Sequence, residues 1–169
     1  MVTAFFDDRS RHGGADRIPL PSACGGVWLC GKHFVGPDPE AAMRQVQATT
    51  VVCLTQRREL ESRYPAYVSW LLAQPPTRAM WFPIADLGAP TLERVRPVLS
   101  ELRDRVEAGD TLLMHCGAGI GRAGTIAAGL LITMGVRRER ALELVALHRP
   151  MAGPEAGAQS ELLEALDTR

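Results

Sequence analysis

Apolar positions in this chain fall into two patterns: short unbroken runs, and longer stretches in which they recur at helical spacing. The runs are Val27-Trp28-Leu29-Cys30, Thr50-Val51-Val52-Cys53-Leu54, Ala79-Met80-Trp81-Phe82 and Thr111-Leu112-Leu113-Met114. Such segments, without polar alternation, fit strands buried on both faces. Helical patterns lie between and after them. Asp38-Pro39-Glu40 opens one, with Asp38 as N-cap, Pro39 at the first helical position and Ala41, Ala42, Met43 and Val46 as its apolar face. Arg57 to Tyr64 is charged and only weakly helical, and beyond Pro65 a short helix through Tyr67, Val68, Trp70, Leu71 and Leu72 is stopped by Pro75-Pro76. From Thr91, Leu92, Val95, Val98, Leu99, Leu102 and Val106 trace an amphipathic helix, in which Pro97 either makes a kink or marks the true first turn. Ile126 to Met134 is apolar on nearly every face, as in a buried helix. Two further helices are predicted, about Arg138 to Leu147 and about Gln159 to Leu166.

Strands alternating with helices predict a single α/β domain, a central, mainly parallel twisted sheet with helices on both faces. No repeat or linker divides the 169 residues, which suffice for one substantial core. Residues 1–23 are polar and then proline-bearing. They predict a flexible lead-in, leaving 24–169 as the folded domain.

Composition narrows the function. Nineteen basic and nineteen acidic residues cancel, so no bulk attraction draws the chain to nucleic acid or a membrane surface. The first seventeen residues lack the basic start and apolar core of a signal peptide, and no segment is long enough to span a bilayer. The expectation is a cytoplasmic protein with reduced thiols, monomeric by default. Cys24, Cys30, Cys53 and Cys116 show no paired C-x-x-C spacing, so neither a metal nor another cofactor is expected.

The chemistry concentrates in His115-Cys116-Gly117-Ala118-Gly119-Ile120-Gly121-Arg122-Ala123-Gly124-Thr125. A strand precedes this stretch and a helix follows, so Cys116 sits where a glycine-rich turn meets a helix N-terminus. Unpaired N–H groups and the positive end of the helix dipole gather there. These surroundings and Arg122 favour a thiolate, the nucleophilic form. The same amides and the arginine fork suit the outer oxygens of a phosphate group. Nucleophile and phosphate cradle in one loop predict in-line attack and a phosphocysteine intermediate.

Three other readings fit less well. Gly119-x-Gly121-x-x-Gly124 satisfies the dinucleotide fingerprint, but it stands late in the chain. Helix-forming Arg138 to Leu142 follows it, where a second strand ending in an acidic residue is required. No Gly-Lys-Ser/Thr is present for a P-loop nucleotidase. A rhodanese-like sulfurtransferase would need neither Asp86 nor the spacing of Arg122.

The stretch resembles the signature of the protein tyrosine phosphatase superfamily, His-Cys-x-x-Gly-x-x-Arg followed by Ser or Thr. Thirty positions before Cys116, Pro83-Ile84-Ala85-Asp86-Leu87-Gly88-Ala89-Pro90, preceded by Trp81-Phe82, is similar to the general-acid loop of the dual-specificity branch. The similarity is greatest to the cyclin-dependent kinase-associated phosphatase and Cdc14-like group, as it is for Thr55 to Tyr64. The resemblance covers roughly residues 25 to 166. It implies Cys116 as nucleophile, Arg122 and the loop Gly117, Ala118, Gly119, Ile120 and Gly121 as phosphate-binding groups, and Asp86 as general acid, then base. Read without it, Asp86 is a turn aspartate. The resemblance further implies that His115 hydrogen-bonds the loop and helps set the thiolate, and that Gln159 orients the hydrolytic water. Gln159 reads equally as a helix-start glutamine, and Arg149 as surface or support.

Ala123 departs from the pattern, which has Ser or Thr there. The missing hydroxyl normally donates to the thiolate, so its loss should slow breakdown of the intermediate; Thr125 could substitute only in part, since the resembling family often has a threonine there as well. A pseudophosphatase, binding phosphopeptides with weak turnover, is the alternative that Ala123 raises. Cys53, on a neighbouring strand, offers a weaker idea, a protective disulfide with oxidised Cys116. The cradle positions between Cys116 and Arg122 are all neutral, which favours a phosphorylated protein or peptide over a highly charged phosphoinositide.

Overall fold

Five strands form one sheet, in the order β1-β2-β5-β3-β4, in the computed structural model, which describes residues 14–168. β2 (Gly26–Gly31), β5 (Thr111–Cys116), β3 (Thr50–Cys53) and β4 (Ala79–Trp81) are parallel, and β1 (Asp16–Ile18) is the antiparallel edge. The mainly parallel sheet predicted from the apolar runs is therefore present, with the run ahead of Cys116 at its centre.

β1 is a correction. Asp16–Ile18 falls inside the stretch expected as a flexible lead-in, yet it pairs with Val27, Trp28 and Leu29 and leaves Ile18 buried. Three residues beside two prolines are too short for periodicity to reveal; cross-strand pairing makes the strand. Residues 1–13 of the expected lead-in lie outside the described residues.

Side chains alternate across the sheet, so each parallel strand serves two cores. One face carries Val27, Leu29, Val52, Leu112, Met114 and Cys116 against α4 (Leu92–Glu107), α5 (Gly121–Thr133), α6 (Arg138–His148) and α7 (Gly157–Asp167). The other carries Cys30, Val51, Cys53 and Leu113 against α1 (Lys32–Val35), α2 (Pro39–Val46) and α3 (Pro65–Ala73). Helix starts follow the sequence closely. Asp38 accepts from the Ala41 N–H at 3.0 Å with Pro39 in the first turn, and Thr91 caps α4. Pro97 lies one turn inside α4, so the Glu93 carbonyl has no i+4 donor. The weak pattern after Arg57 becomes only a 3-10 turn, Arg57–Glu59. Among the described residues no helix is long and apolar enough to cross a membrane.

Candidate active site

β5 delivers Cys116 to the C-terminal edge of the sheet, and the chain turns through Gly117–Ile120 into α5. The carbonyls of this turn all face outward. Gly117 O accepts from the Lys32 N–H at 2.9 Å, Ala118 O from Arg149 Nη2 at 2.9 Å and Gly119 O from Arg149 Nε at 2.7 Å. Ile120 O accepts from the Gly153 and Gly124 N–H groups at 3.1 and 3.0 Å. In a planar trans peptide the N–H opposes the carbonyl before it. The N–H groups of Ala118, Gly119, Ile120 and Gly121 therefore point inward, over Cys116 and toward the start of α5, where the helix dipole adds positive potential. Gly119 has no substitute: its φ is +74°, and a Cβ would stand 2.3 Å from Cys30 O. Gly124 lets α5 approach the loop after α6, since a Cβ there would stand 2.2 Å from Gly153 N. The glycines that also fit a dinucleotide fingerprint are thus accounted for by this turn and its packing.

The turn floors a cavity of about 420 Å³. Cys116, Gly117, Ala118, Gly121, Arg122, Asp86 and Gln159 line it, so the predicted nucleophile, cradle, acid and glutamine converge. Gly119 and Ile120 sit behind that lining and complete the turn. Lys32, His33, Glu59, Leu87 and Glu155 also face the cavity, and none of them was singled out from sequence.

Glu59 has the clearest task. Its two oxygens accept from Arg122 Nη1 and Nη2, both at 2.8 Å, while Ile84 O accepts from Nη1 at 2.8 Å. Arg122 is thereby held as a rigid fork beneath the cavity. Glu59 Oε2 also accepts the Gln56 N–H at 2.8 Å. Burial raises the Glu59 value, but the Arg122 bonds, the Gln56 N–H and nearby Lys32 outweigh it and hold the carboxyl below the usual range. Asp86 stands above this pair, its Oδ1 3.5 Å from Arg122 Nη2 and its side chain 75% exposed. The Asp86 carboxyl therefore stands at the mouth of the cavity, over the Arg122 guanidinium.

His115 points away from Cys116 into the opposite core. Its Nδ1 lies 3.1 Å from Cys116 O and its Nε2 2.7 Å from the Tyr67 hydroxyl. A carbonyl only accepts, so Nδ1 carries the proton and Tyr67 donates to Nε2. Burial, with Arg122 in support and the Cys116 carbonyl opposing, lowers the His115 value to about 4. The ring is neutral and fixes the strand end. Cys53 pairs in register with His115 and so shares its face, away from Cys116. Burial pushes the Cys53 thiol up to about 11 against the lowering effect of Thr55. Both facts oppose the idea of a Cys53–Cys116 disulfide, which needs facing Cβ vectors. Ala123 is fully buried, and the Thr125 hydroxyl donates to Gly121 O at 2.7 Å. That bond removes Thr125 as a replacement for the missing hydroxyl.

For Arg149 and Gln159 the sequence left two readings each, and the bonds separate them. Arg149 is support rather than surface. Besides the turn carbonyls it donates to Asp16 Oδ2 at 2.8 Å, Leu29 O at 3.3 Å and Gly14 O. Gln159 lines the cavity but spends its amide on backbone: Oε1 accepts the Glu155 N–H at 2.7 Å and Nε2 donates to Gly88 O at 3.1 Å. Among the described residues no group of three or more His, Cys, Asp or Glu is arranged to hold a metal ion.

Comparison with known proteins gives one family match and several matches of fold. The family model described as PTP-SAK, Swiss Army Knife protein, DSP-PTPase phosphatase domain, matches residues 36–166. Among solved structures, Tk-PTP in its active form is 24% identical, with a TM-score of 0.68 over 90% of this chain and 97% of that one. Kinase-associated phosphatase with its catalytic cysteine replaced by serine is 19% identical, with a TM-score of 0.71 over 92% and 96%. Human DUSP28 is 18% identical, with a TM-score of 0.68 over 91% and 93%. At these identities the three structures speak for the fold. No curated protein matches the chain.

Proposed function

Because the chain belongs to the DSP-PTPase phosphatase-domain family, and so to the cysteine-dependent dual-specificity phosphatases, we propose that it hydrolyses phosphomonoesters of proteins through a phosphocysteine formed on Cys116. The observation that carries this reading is the convergence of Cys116, the inward N–H groups of the turn, the Glu59-braced Arg122 and Asp86 on one cavity.

The steps follow from the geometry. The phosphate's outer oxygens accept from the turn amides and Arg122, which offset charge as the oxygens spread in the transition state. The Cys116 sulfur forms a bond to phosphorus while the P–O bond to the leaving group breaks in line. Asp86 gives its proton to the departing oxygen, then takes one from the water that attacks the phosphocysteine, releasing phosphate and restoring the thiolate. Each step is carried by the chain's own residues. His115 is excluded as the base by its position behind the strand, where it supports the Cys116 carbonyl. Ala123, with Thr125 committed elsewhere, makes the second step the slower one. A binding module without turnover ranks behind the enzyme, because the apparatus for the first step is complete. A cytoplasmic phosphorylated protein or peptide is the substrate that the neutral cradle favours.

Phosphate release from a phosphotyrosine peptide, a phosphoserine/threonine peptide and a phosphoinositide tests both mechanism and class. Turnover should vanish in Cys116→Ser and slow at neutral pH in Asp86→Asn, with the peptides preferred. Turnover retained in Cys116→Ser would sink the mechanism.

A further inference from the structure

We infer that Gln159 is a positioning residue for the first chemical step, pinning the turn that carries Asp86 so that its carboxyl stays over the leaving group; this rests on the phosphatase reading above. Ala85-Asp86-Leu87-Gly88 closes through the Gly88 N–H to Ala85 O at 2.8 Å. Leu87 occupies its third position at φ +62°. That is a type II turn with leucine where the left-handed backbone favours glycine or asparagine. The strain has an outlet: the Asp86–Leu87 peptide can turn over to the type I form, in which both central residues have negative φ. That peptide also orients the acid. Its N–H, from Leu87, donates to Asp86 Oδ1 at 3.1 Å, the same oxygen that faces Arg122 Nη2 at 3.5 Å. If the peptide turned over, the carboxyl would lose this anchor.

The loop is anchored at its front by the Ile84 N–H to Leu54 O, 2.9 Å, and by Arg122 Nη1 to Ile84 O, 2.8 Å. At the back, among the described residues, one hydrogen bond reaches residues 85–90 from outside the loop, Gln159 Nε2 to Gly88 O. Gln159 is only 1% exposed, and its other amide atom is held by the Glu155 N–H. A primary amide can accept from one loop and donate to the other. Glutamate lacks the donor, and leucine lacks both groups. The side chain expected to orient the second-step water is thus, by its bonds, the rear clamp of the first-step acid.

The test is kcat/KM, which reports events up to P–O cleavage, across phosphate esters of rising leaving-group pKa. Dinitrophenyl phosphate leaves without help; phenyl and alkyl phosphates need the acid. Gln159→Leu and the near-isosteric Gln159→Glu should stay within about twofold of wild type on the first and fall by about tenfold or more on the others. Adding Leu87→Gly, which suits the type II turn without strain, should recover several-fold of the loss. Equal losses on every ester would overturn the inference. So would unchanged kcat/KM with reduced kcat and phosphocysteine accumulating in the mass spectrum, the behaviour of a water-orienting residue. A wild-type protein inactive on the whole series would instead overturn the phosphatase reading itself.

Discussion

Arg122 shows how one side chain's usefulness depends on another found far away in sequence. Its fork is aimed by Glu59, 63 residues earlier, and without that brace an arginine loses much of its preorganisation for phosphate. Glu59→Gln keeps the shape but removes the charge. We expect KM for an aryl phosphate to rise about tenfold, and stability to fall by about 2 kcal/mol in a urea titration, because a nearly buried guanidinium loses its charged acceptors. Ala123→Ser restores a donor beside the sulfur. It should shrink the pre-steady-state burst or raise kcat, and a burst and kcat both identical to wild type would contradict the account of a slow second step. At this scale the meeting of Cys116, Arg122 and Asp86 at one cavity was legible, because residue type and fixed spacing mark all three. Glu59 was not, and Arg149 stayed undecided between surface and support, since their partners are a guanidinium and backbone carbonyls that only the folded chain brings near. Gln159 was found, but for a different task, because a glutamine's two hydrogen-bonding ends cannot be assigned from its position in a string.

The working element is the strand, turn and helix around Cys116, and its shape is imposed from behind. Arg149 takes the carbonyls of Ala118 and Gly119, and the N–H groups face the cavity as a consequence. Arg149→Met should therefore act twice. It removes the ion pair with Asp16 at a site where Arg149 is only 7% exposed, and losing one member of a buried pair costs about 3 kcal/mol. It should also weaken product inhibition by inorganic phosphate about tenfold, as carbonyls released from the rear are free to rotate toward the anion. Denaturant midpoints and inhibition constants measure the two effects separately. The strand–turn–helix was readable in advance, because an unbroken apolar run, glycines and a second apolar run each carry a local signal. β1 was not, being three residues whose strand character comes wholly from pairing with β2. In the charged segment after Arg57 the weak helical pattern goes no further than one 3-10 turn, because a capping box closes it before a helix can propagate.

For the molecule as a whole, pH is the sharpest probe. Unfolded, His115 titrates near its ordinary value of 6.5; folded, it is held down to about 4 by burial. As pH falls between those values the unfolded chain binds the proton first, so the stabilisation is complete above pH 6.5 and drains away toward pH 4. Between pH 7.5 and 5 this one group should remove about 2 kcal/mol, read as a shift in urea midpoint that His115→Gln largely abolishes. The alternation of strands and helices made the two-sided parallel sheet legible, but no local pattern marks where the folded unit starts. Family similarity starts at residue 36, beyond β1 and β2, and composition suggested a start at residue 24. Arg149 draws the boundary elsewhere, since it fastens the back of the turn after Cys116 to Leu29, Asp16 and Gly14. A gene trimmed to either of those starts should yield an enzyme impaired in phosphate affinity even where it folds. For expression, fusion or transplantation, the portable catalytic cassette begins no later than Gly14.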